Sequence, residues 1–505
     1  MEPHHLLLDM NAVVHATVRQ NRFTSRTTIR DVIAAVKRFL KVFPPSETLI
    51  LVFDGAAPIA KLKTQKERRA GMPSPHAVSH PPPPSPHPSD SCSSVVASQR
   101  YNYDYCGTEV QLLREEILSG SEFLLACEDA VRCALDDVGE DGGELGGLPG
   151  RTIIISGCAE AGEGELKMSS IIRELWLKQR REETYTGNDV FVVVGNDSDL
   201  ALIGIACTPY THYYMVDPVD LAITSVGKLF DHWMGSVPNG RLPAELLPSF
   251  RIDFVLLMLL GGGDWYEGIG GRTTQLWRRY RDLRINGGYY RKSLIQGEAF
   301  NINVEFIRAV MDVKPSRHHV TRLSKIKQAT LRGTSSLTPA AVESGVELLK
   351  GAMWALRSIV GGQCFDYGFR VYPKDPTTGT LKAAVHVKKL AERIRPASSA
   401  PLPLFAPLEQ CIAVLGKRGR FSSEIWRAMT TVNADGGEKL THSRSITYLL
   451  TQVRLLMAGV DTQRLTAAER TLLNVQHRNL CGAGECAQEA VTFMSFTHSA
   501  PSNGN

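Results

Sequence analysis

Residues 191–200, FVVVGNDSDL, decide the fold. An unbroken apolar run, three of its members valine, meets a glycine and then places Asp197 and Asp199 two positions apart. A short β-branched run with no polar face reads as a strand buried on both sides, the habit of parallel sheets covered by helices. In such sheets the carboxyl ends of the strands open into one shared crevice. Asp197 and Asp199 are therefore expected at the rim of that crevice.

The same wording recurs on either side. LLLDMN at 6–11 ends a strand at Asp9, and LILVFDG at 49–55 ends another at Asp54. A further strand, RTIIIS at 151–156, precedes AGEGELK at 161–167, which opens a helix with Glu163 and Glu165. The helical run FVLLMLLGGGDW at 254–265 stops at three glycines before Asp264. Taken singly, an Asp after a strand is usually a helix cap or a turn residue. A Glu in a first helical turn usually answers the helix dipole. Seven carboxylates drawn to one crevice would repel each other unless cations lay between them. Oxygen-only ligands select hard ions, Mg²⁺ or Mn²⁺ rather than zinc, and point to phosphoryl-transfer chemistry.

Helical spacing is expected around 28–42 and from about 60 to 70, and apolar helical spacing returns at 338–361, 406–417 and 445–458. Repeated β–α order gives the fold class: α/β, a mostly parallel twisted sheet flanked by helices, with a mainly helical C-terminal region. The expected organisation is a core split into 1–70 and 101–295, around a disordered Pro/Ser/His-rich insertion at 71–100. A mainly helical region at 296–480 and a loose tail at 481–505 complete it. With 505 residues, 43% hydrophobic and net charge +5, the chain is globular and permits a polyanionic partner without demanding one. Ten scattered cysteines suit reduced thiols and an intracellular setting, whether cytoplasmic, nuclear or mitochondrial. No apolar run is long enough to cross a bilayer, so no membrane partner is expected. His477, Cys481 and Cys486 fall one ligand short of a zinc site.

In AKLKTQKERRA at 60–70, Lys61, Gln65, Arg68 and Arg69 share one helical face. Alone, this would be a solvated basic helix, which is also what Lys63 and Lys66, off the stripe, are expected to be. Beside the Asp54 strand, the stripe can hold a terminal phosphate, because guanidinium forks match phosphate oxygens. Lys167 and Arg173, on the helix after the glutamate pair, are candidate phosphate contacts.

The order and wording of these segments resemble the 5′→3′ exoribonuclease (Xrn) family, within the flap-endonuclease/PIN-like nuclease superfamily. LLLDMNAVVH, VFDGAAPIAKLKTQKERRA, CGTEVQLL, AGEGELKMSSIIREL, GNDSDLALIGIA and RIDFVLLMLLGGGDW follow the family's order over about residues 5–275. Two departures put Cys106 and Ala161 where that family has proline. The resemblance implies a PIN-like/resolvase-like nuclease core. It implies a metal site of Asp9, Asp54, Glu163, Glu165, Asp197, Asp199 and Asp264, holding two Mg²⁺ or Mn²⁺ ions roughly 3.5–4 Å apart. It implies a 5′-monophosphate pocket at Lys61, Gln65, Arg68 and Arg69, and a base stacked on His15. The activity implied is metal-dependent 5′→3′ degradation of single-stranded RNA bearing a 5′-monophosphate. Trp354 fits the family's later tryptophan-rich stretch but the following tryptophans are missing, leaving Phe365 or Tyr367 as stacking platforms or as core. The wording GGDWYEGIGGRT, with GIGG at 268–271, drifts toward DNA flap nucleases. A flap-type DNA 5′-nuclease, or a non-catalytic RNA-binding or assembly factor that kept the fold, are the alternatives.

Overall fold

The structure, a computed structural model, describes residues 2–20, 24–70, 116–136, 150–207, 209–235, 243–297, 300–312, 338–395, 402–432 and 445–475. The Pro/Ser/His-rich segment, the CGTEVQLL motif, His477, Cys481, Cys486 and the tail lie outside the described residues.

Six strands form the central sheet: β1 (His5–Asp9), β2 (Thr48–Val52), β3 (Thr152–Ser156), β4 (Val190–Val194), β5 (His212–Val216) and β6 (Ile223–Ser225). Their order is β3-β2-β1-β4-β5-β6, parallel throughout except for the antiparallel β5–β6 pair. Leu7 pairs with Ile50 on one side and Val193 on the other. The chain moves outward through β2 and β3, then crosses back to place β4 against β1. That reversal opens the crevice at the carboxyl ends of β1 and β4.

Successive strand residues feed two cores, as period-two alternation requires. Leu6, Leu8, Leu49, Leu51, Val192 and Val194 face one core, built with α1 (Met10–Gln20), α2 (Ser25–Val42) and α4 (Glu122–Asp136). Leu7, Ile50, Phe191 and Val193 face the other, built with α5 (Gly164–Arg181), α6 (Ser198–Ala206), α7 (Val226–Met234) and α8 (Leu247–Leu259). Helix α3 (Ile59–Ala70) leaves the end of β2. Helix α9 (Thr273–Ile285) is tied to α8 by Asp253, whose carboxylate lies 3.1 Å from Arg284 and accepts from Tyr280 and from the Leu294 and Ile295 amides. This fixes both ends of the glycine-rich loop that carries Asp264.

After α10 (Val304–Asp312) comes the long α11 (Pro339–Gly361). Thr338 caps its start, accepting from the Ala341 amide, and Pro339 occupies its first turn. Gly362 ends it at φ 66°, and a Cβ there would stand 2.8 Å from the Ser170 backbone, so α5 and α11 cross too closely for any side chain. Trp354 is fully buried and stacks on Phe369, centroids 4.6 Å apart; Tyr367 is buried as well. Phe365 is half-buried beneath the Arg357 guanidinium at 4.1 Å. Core packing thus accounts for Trp354 and Tyr367.

The remaining α-helices among the described residues are α12 (Thr378–Ala384), α13 (Leu390–Ile394), α14 (Pro407–Leu415), α15 (Ser423–Val432), α16 (Ile446–Ala458) and α17 (Ala467–Leu473). From α14 onward they join the core on the α1–α2 side of the sheet. Helix α14 grips the segment that follows β2. The buried Gln410 side chain accepts from the Ala57 amide at 3.0 Å and donates to the Ala57 carbonyl at 2.9 Å. Lys66 is not solvated as expected. It is 3% exposed and donates to the Ala413 carbonyl at 2.8 Å, and burial, aided by Arg418, lowers its pKa to about 8. Gly55 sits in the same grip: a Cβ would lie 1.6 Å from the Glu160 carbonyl oxygen.

Gln410→Leu would leave the Ala57 amide and carbonyl buried without partners, so it should cost about 2 kcal/mol of stability. Denaturant unfolding checks this. A loss below about 0.5 kcal/mol would mean that the grip carries no weight.

Candidate active site

At the carboxyl end of the sheet lies an open cavity of about 380 Å³. Asp9, Asp54, Glu165, Asp197 and Asp264 line it, together with Asn11, His15, Lys61 and Gln65. Glu163 and Asp199 stand close by: Glu163, 2% exposed, acts on the charge of Lys61, and Asp197, Lys61 and Asp264 act on that of Asp199. The crevice thus gathers all seven sequence-selected acids, from five segments separated by up to 255 positions.

Local backbone geometry sets each carboxylate. Asp9 ends β1 and its Oδ1 accepts from the Ala12 amide at 3.1 Å, in the manner of a helix cap. Asp197 caps α6, accepting from the Asp199 amide at 3.1 Å. Asp54 accepts from the Gly164 amide at 2.7 Å and from the Asn11 side chain at 2.8 Å, while the Asp54 amide donates to Asn11 Oδ1. Asn11 therefore locks the ends of β1 and β2 together. Glu163 receives Lys61 Nζ at 2.8 Å on one oxygen and the Trp265 indole N–H at 2.9 Å on the other. Sequence reasoning gave neither Asn11 nor Trp265 a role. Asn11 was visible within the Asp-Met-Asn wording, whereas Trp265 simply follows Asp264 and carries no signal of its own.

The electrostatics are those of a crowded anionic site. Burial, reinforced by Asp54, raises the Asp9 pKa to about 7. Burial, reinforced by Asp197, raises that of Asp199 to about 7. Glu163 is raised chiefly by burial, against the pull of Lys61. Glu165 is raised well above the ordinary range by burial, with Asp54, Asp9 and Glu163 adding to it. Lys61 answers this field. Burial opposes its charge, yet Glu163, Glu165, Asp264 and Asp54 together hold it well above the usual lysine range. Its ammonium lies 2.8 Å from Glu163 and 3.1 Å from Asp264.

These residues fit divalent cations. The donors are oxygens, as hard ions require. Glu165 Oε2 is buried with no hydrogen-bond partner, which leaves a costly orphan that a cation would satisfy. Of the basic stripe, Lys61 and Gln65 line the cavity; the side chains of Arg68 and Arg69 lie outside the described residues. His15 lines it too and is exposed. Lys167 and Arg173 depart from expectation. Lys167 is buried and donates to the Phe53 and Gly157 carbonyls at 2.8 and 2.7 Å, and buried Arg173 donates to the Gly361 carbonyl at 2.7 Å. Both serve the packing around α5 and neither lines the cavity. At the opposite end of the sheet His5 approaches Asp189 at 3.2 Å and Glu47 at 3.8 Å, a trio separate from the crevice.

Part of the chain is similar to known proteins. The chain is 25% identical over 213 residues to the "5'-3' exoribonuclease 2 homolog" of Caenorhabditis elegans, which covers 40% of this chain and 20% of that protein. It is 26% identical over 227 residues to the "5'-3' exoribonuclease 2" of Yarrowia lipolytica, covering 40% and 21%. The chain thus spans about a fifth of the length of these curated relatives. The solved structure of T5 D15 protein co-crystallised with metal ions aligns over 77% of this chain and 99% of its own, at a TM-score of 0.32 and 12% identity. The family model described as XRN 5'-3' exonuclease N-terminus matches residues 1–216, which hold six of the seven acids and the basic stripe. In that segment the chain is similar to the N-terminus of XRN 5′-3′ exonucleases.

Proposed function

We propose that this protein is a metal-dependent 5′→3′ exoribonuclease that degrades single-stranded RNA bearing a 5′-monophosphate. The observation that carries the reading is the meeting, in one cavity, of the acid cluster with Lys61 and Gln65 from the helix after Asp54. The acids are suited to hydrolysis, and Lys61 and Gln65 beside them to holding a terminal phosphate through charge-assisted hydrogen bonds. The similarity of residues 1–216 to proteins named exoribonucleases supports the same reading.

The acids would hold two Mg²⁺ or Mn²⁺ ions, supplying Lewis acidity to activate water and to steady the leaving oxygen. Lys61 and Gln65 bind and orient the strand's 5′-phosphate, and His15 offers an aromatic face to the first base. Water attacks the phosphorus between the first and second nucleotides, the bond to O3′ breaks, and O3′ takes up a proton. A nucleoside 5′-monophosphate leaves, and the shortened strand again carries a 5′-phosphate. A site that recognises the phosphate therefore meets an identical end after every cycle, which suits stepwise degradation.

With Mg²⁺, 5′-phosphorylated RNA should be shortened stepwise while 5′-hydroxyl RNA and a DNA flap persist. Asp197→Asn/Asp199→Asn should reduce the rate on the order of 10³-fold, by analogy with the loss of a transition-state electrostatic contact. Gln65→Leu, which leaves the acids and their ion pairs in place, should cut the preference for 5′-phosphate about tenfold. Cutting of the flap alone, or equal activity in the double variant, would sink the proposal.

The raised carboxyl groups predict a second behaviour. Asp9 and Asp199 titrate near 7 when folded but near 3.8 when unfolded, so between those values the folded state holds more protons. Stability without divalent ions should therefore fall as pH rises through that window and level off above about pH 7. Thermal melts across that range in EDTA test this. Mg²⁺ should restore most of the loss at the alkaline end by binding the folded state, and Asp9→Asn/Asp199→Asn should flatten the slope.

A further inference from the structure

A second cavity, of about 260 Å³, adjoins the acid cluster and shares no lining residue with the first. Its walls are Leu202 of α6, Trp233 of α7, Phe254 and Met258 of α8, and Tyr266 from the loop after α8. Ser198 and Gly263, both exposed, are on its rim with Asp199. Two neighbouring pairs of residues straddle the divide between the cavities. Asp197 lines the first and Asp199 the second; Asp264 lines the first and Trp265 the second. The carboxylates therefore stand in the partition, with a polar chamber on one side and an aromatic one on the other.

That arrangement matches the chemistry of the scissile bond. A phosphodiester carries a nucleoside on each side, so a phosphorus placed at the partition directs one base to each chamber. The first chamber, with Lys61, Gln65 and His15, suits the terminal nucleotide. We propose that the second chamber receives the nucleobase on the 3′ side of the scissile phosphate, withdrawn from its stack; this rests on the exoribonuclease reading above. Its volume is below the roughly 300–1,000 Å³ of sites for drug-sized ligands and suits a single heterocycle. Aromatic walls hold any base through its π face, so the subsite is indifferent to sequence. Gly263 leaves the rim open: a Cβ there would meet nothing within 4 Å. The half-buried Leu202, Trp233 and Met258 keep the walls accessible from solvent.

The test uses the full chain with 5′-phosphorylated RNA that is intact or abasic at nucleotide 2 or nucleotide 4. In the wild-type protein an abasic nucleotide 2 should raise KM about tenfold, the scale of one lost stacking contact, and an abasic nucleotide 4 should not. Leu202→Trp, which fills the chamber, and Trp233→Ala, which removes a wall, should impair intact RNA by a similar factor and abolish the extra penalty at nucleotide 2. Circular dichroism identifies a variant that has failed to fold, and the other then decides. A 2-aminopurine at nucleotide 2, bound in EDTA, should show a fluorescence change on binding that Trp233→Ala reduces. Degradation of intact RNA with no penalty at nucleotide 2, or a penalty undiminished in the folded variants, overturns the subsite alone. If the wild-type protein fails to degrade intact 5′-phosphorylated RNA, the exoribonuclease reading falls, and the subsite with it.

Discussion

Burial of carboxylates, reinforced by their mutual repulsion, is the constraint on which the rest of the molecule depends. Four of the seven acids at the crevice have pKa values pushed upward, and burial is the largest cause for each. A fold that brings such groups together accepts a local loss of stability at neutral pH and must be held by interactions elsewhere. The Lys61 ammonium, in contact with Glu163 and Asp264, offsets part of the repulsion. The same lysine belongs to the stripe proposed to take the terminal phosphate. Divalent ions at the acids would relieve Lys61 of its role as their counterion, which links occupancy of the acid cluster to the positive charge available for the phosphate.

Part of what holds the crevice together comes from outside the segment that matches the XRN family model. Gln410 and Ala413 of α14 fix the Ala57 backbone and Lys66. The Tyr367 carbonyl receives the Ile59 amide at the start of α3, and α11 packs against α5, the helix that begins at the glutamate pair. Asp264 itself sits past residue 216, in a loop fixed by the Asp253–Arg284 contact between α8 and α9. The C-terminal helices are thus structural members of the site rather than an appendage to it, and the domain matched by sequence does not hold the whole crevice.

The sheet was legible because its central strands are buried on both faces. LLL, TLILV and VFVVV each read as unbroken apolar runs, and the acids stand at or just beyond their ends. Strand β5, HYYMV, begins with exposed His212 and is only partly buried, so no such run announced it. The long helix at 339–361 was visible from apolar spacing bounded by proline and glycine. Lys66 and Lys167 were misread for one reason: a lysine's sequence position says nothing about whether a distant carbonyl waits to receive it. The Ala413 carbonyl lies 347 positions from Lys66, and burial of the ammonium is decided by tertiary contact alone. The aromatic chamber escaped notice likewise, since Leu202, Trp233, Phe254 and Tyr266 come from α6, α7, α8 and a loop, each unremarkable as core.

An aspartate after a strand has two ordinary readings, a helix cap or part of a site, and here they are the same fact. Asp9 and Asp197 each commit an oxygen to a backbone amide at a helix start, and Asp54 commits one to Gly164. Those hydrogen bonds fix the carboxylate planes through the backbone rather than through side-chain packing. A ligand set oriented in this way pays little reorganisation when a cation or a phosphate arrives, the condition under which electrostatic stabilisation is most effective. Replacing one of these aspartates by asparagine keeps an oxygen able to accept from the amide while removing the charge. Loss of function in such a variant, with the fold retained, would therefore separate the two roles that a single carboxylate combines.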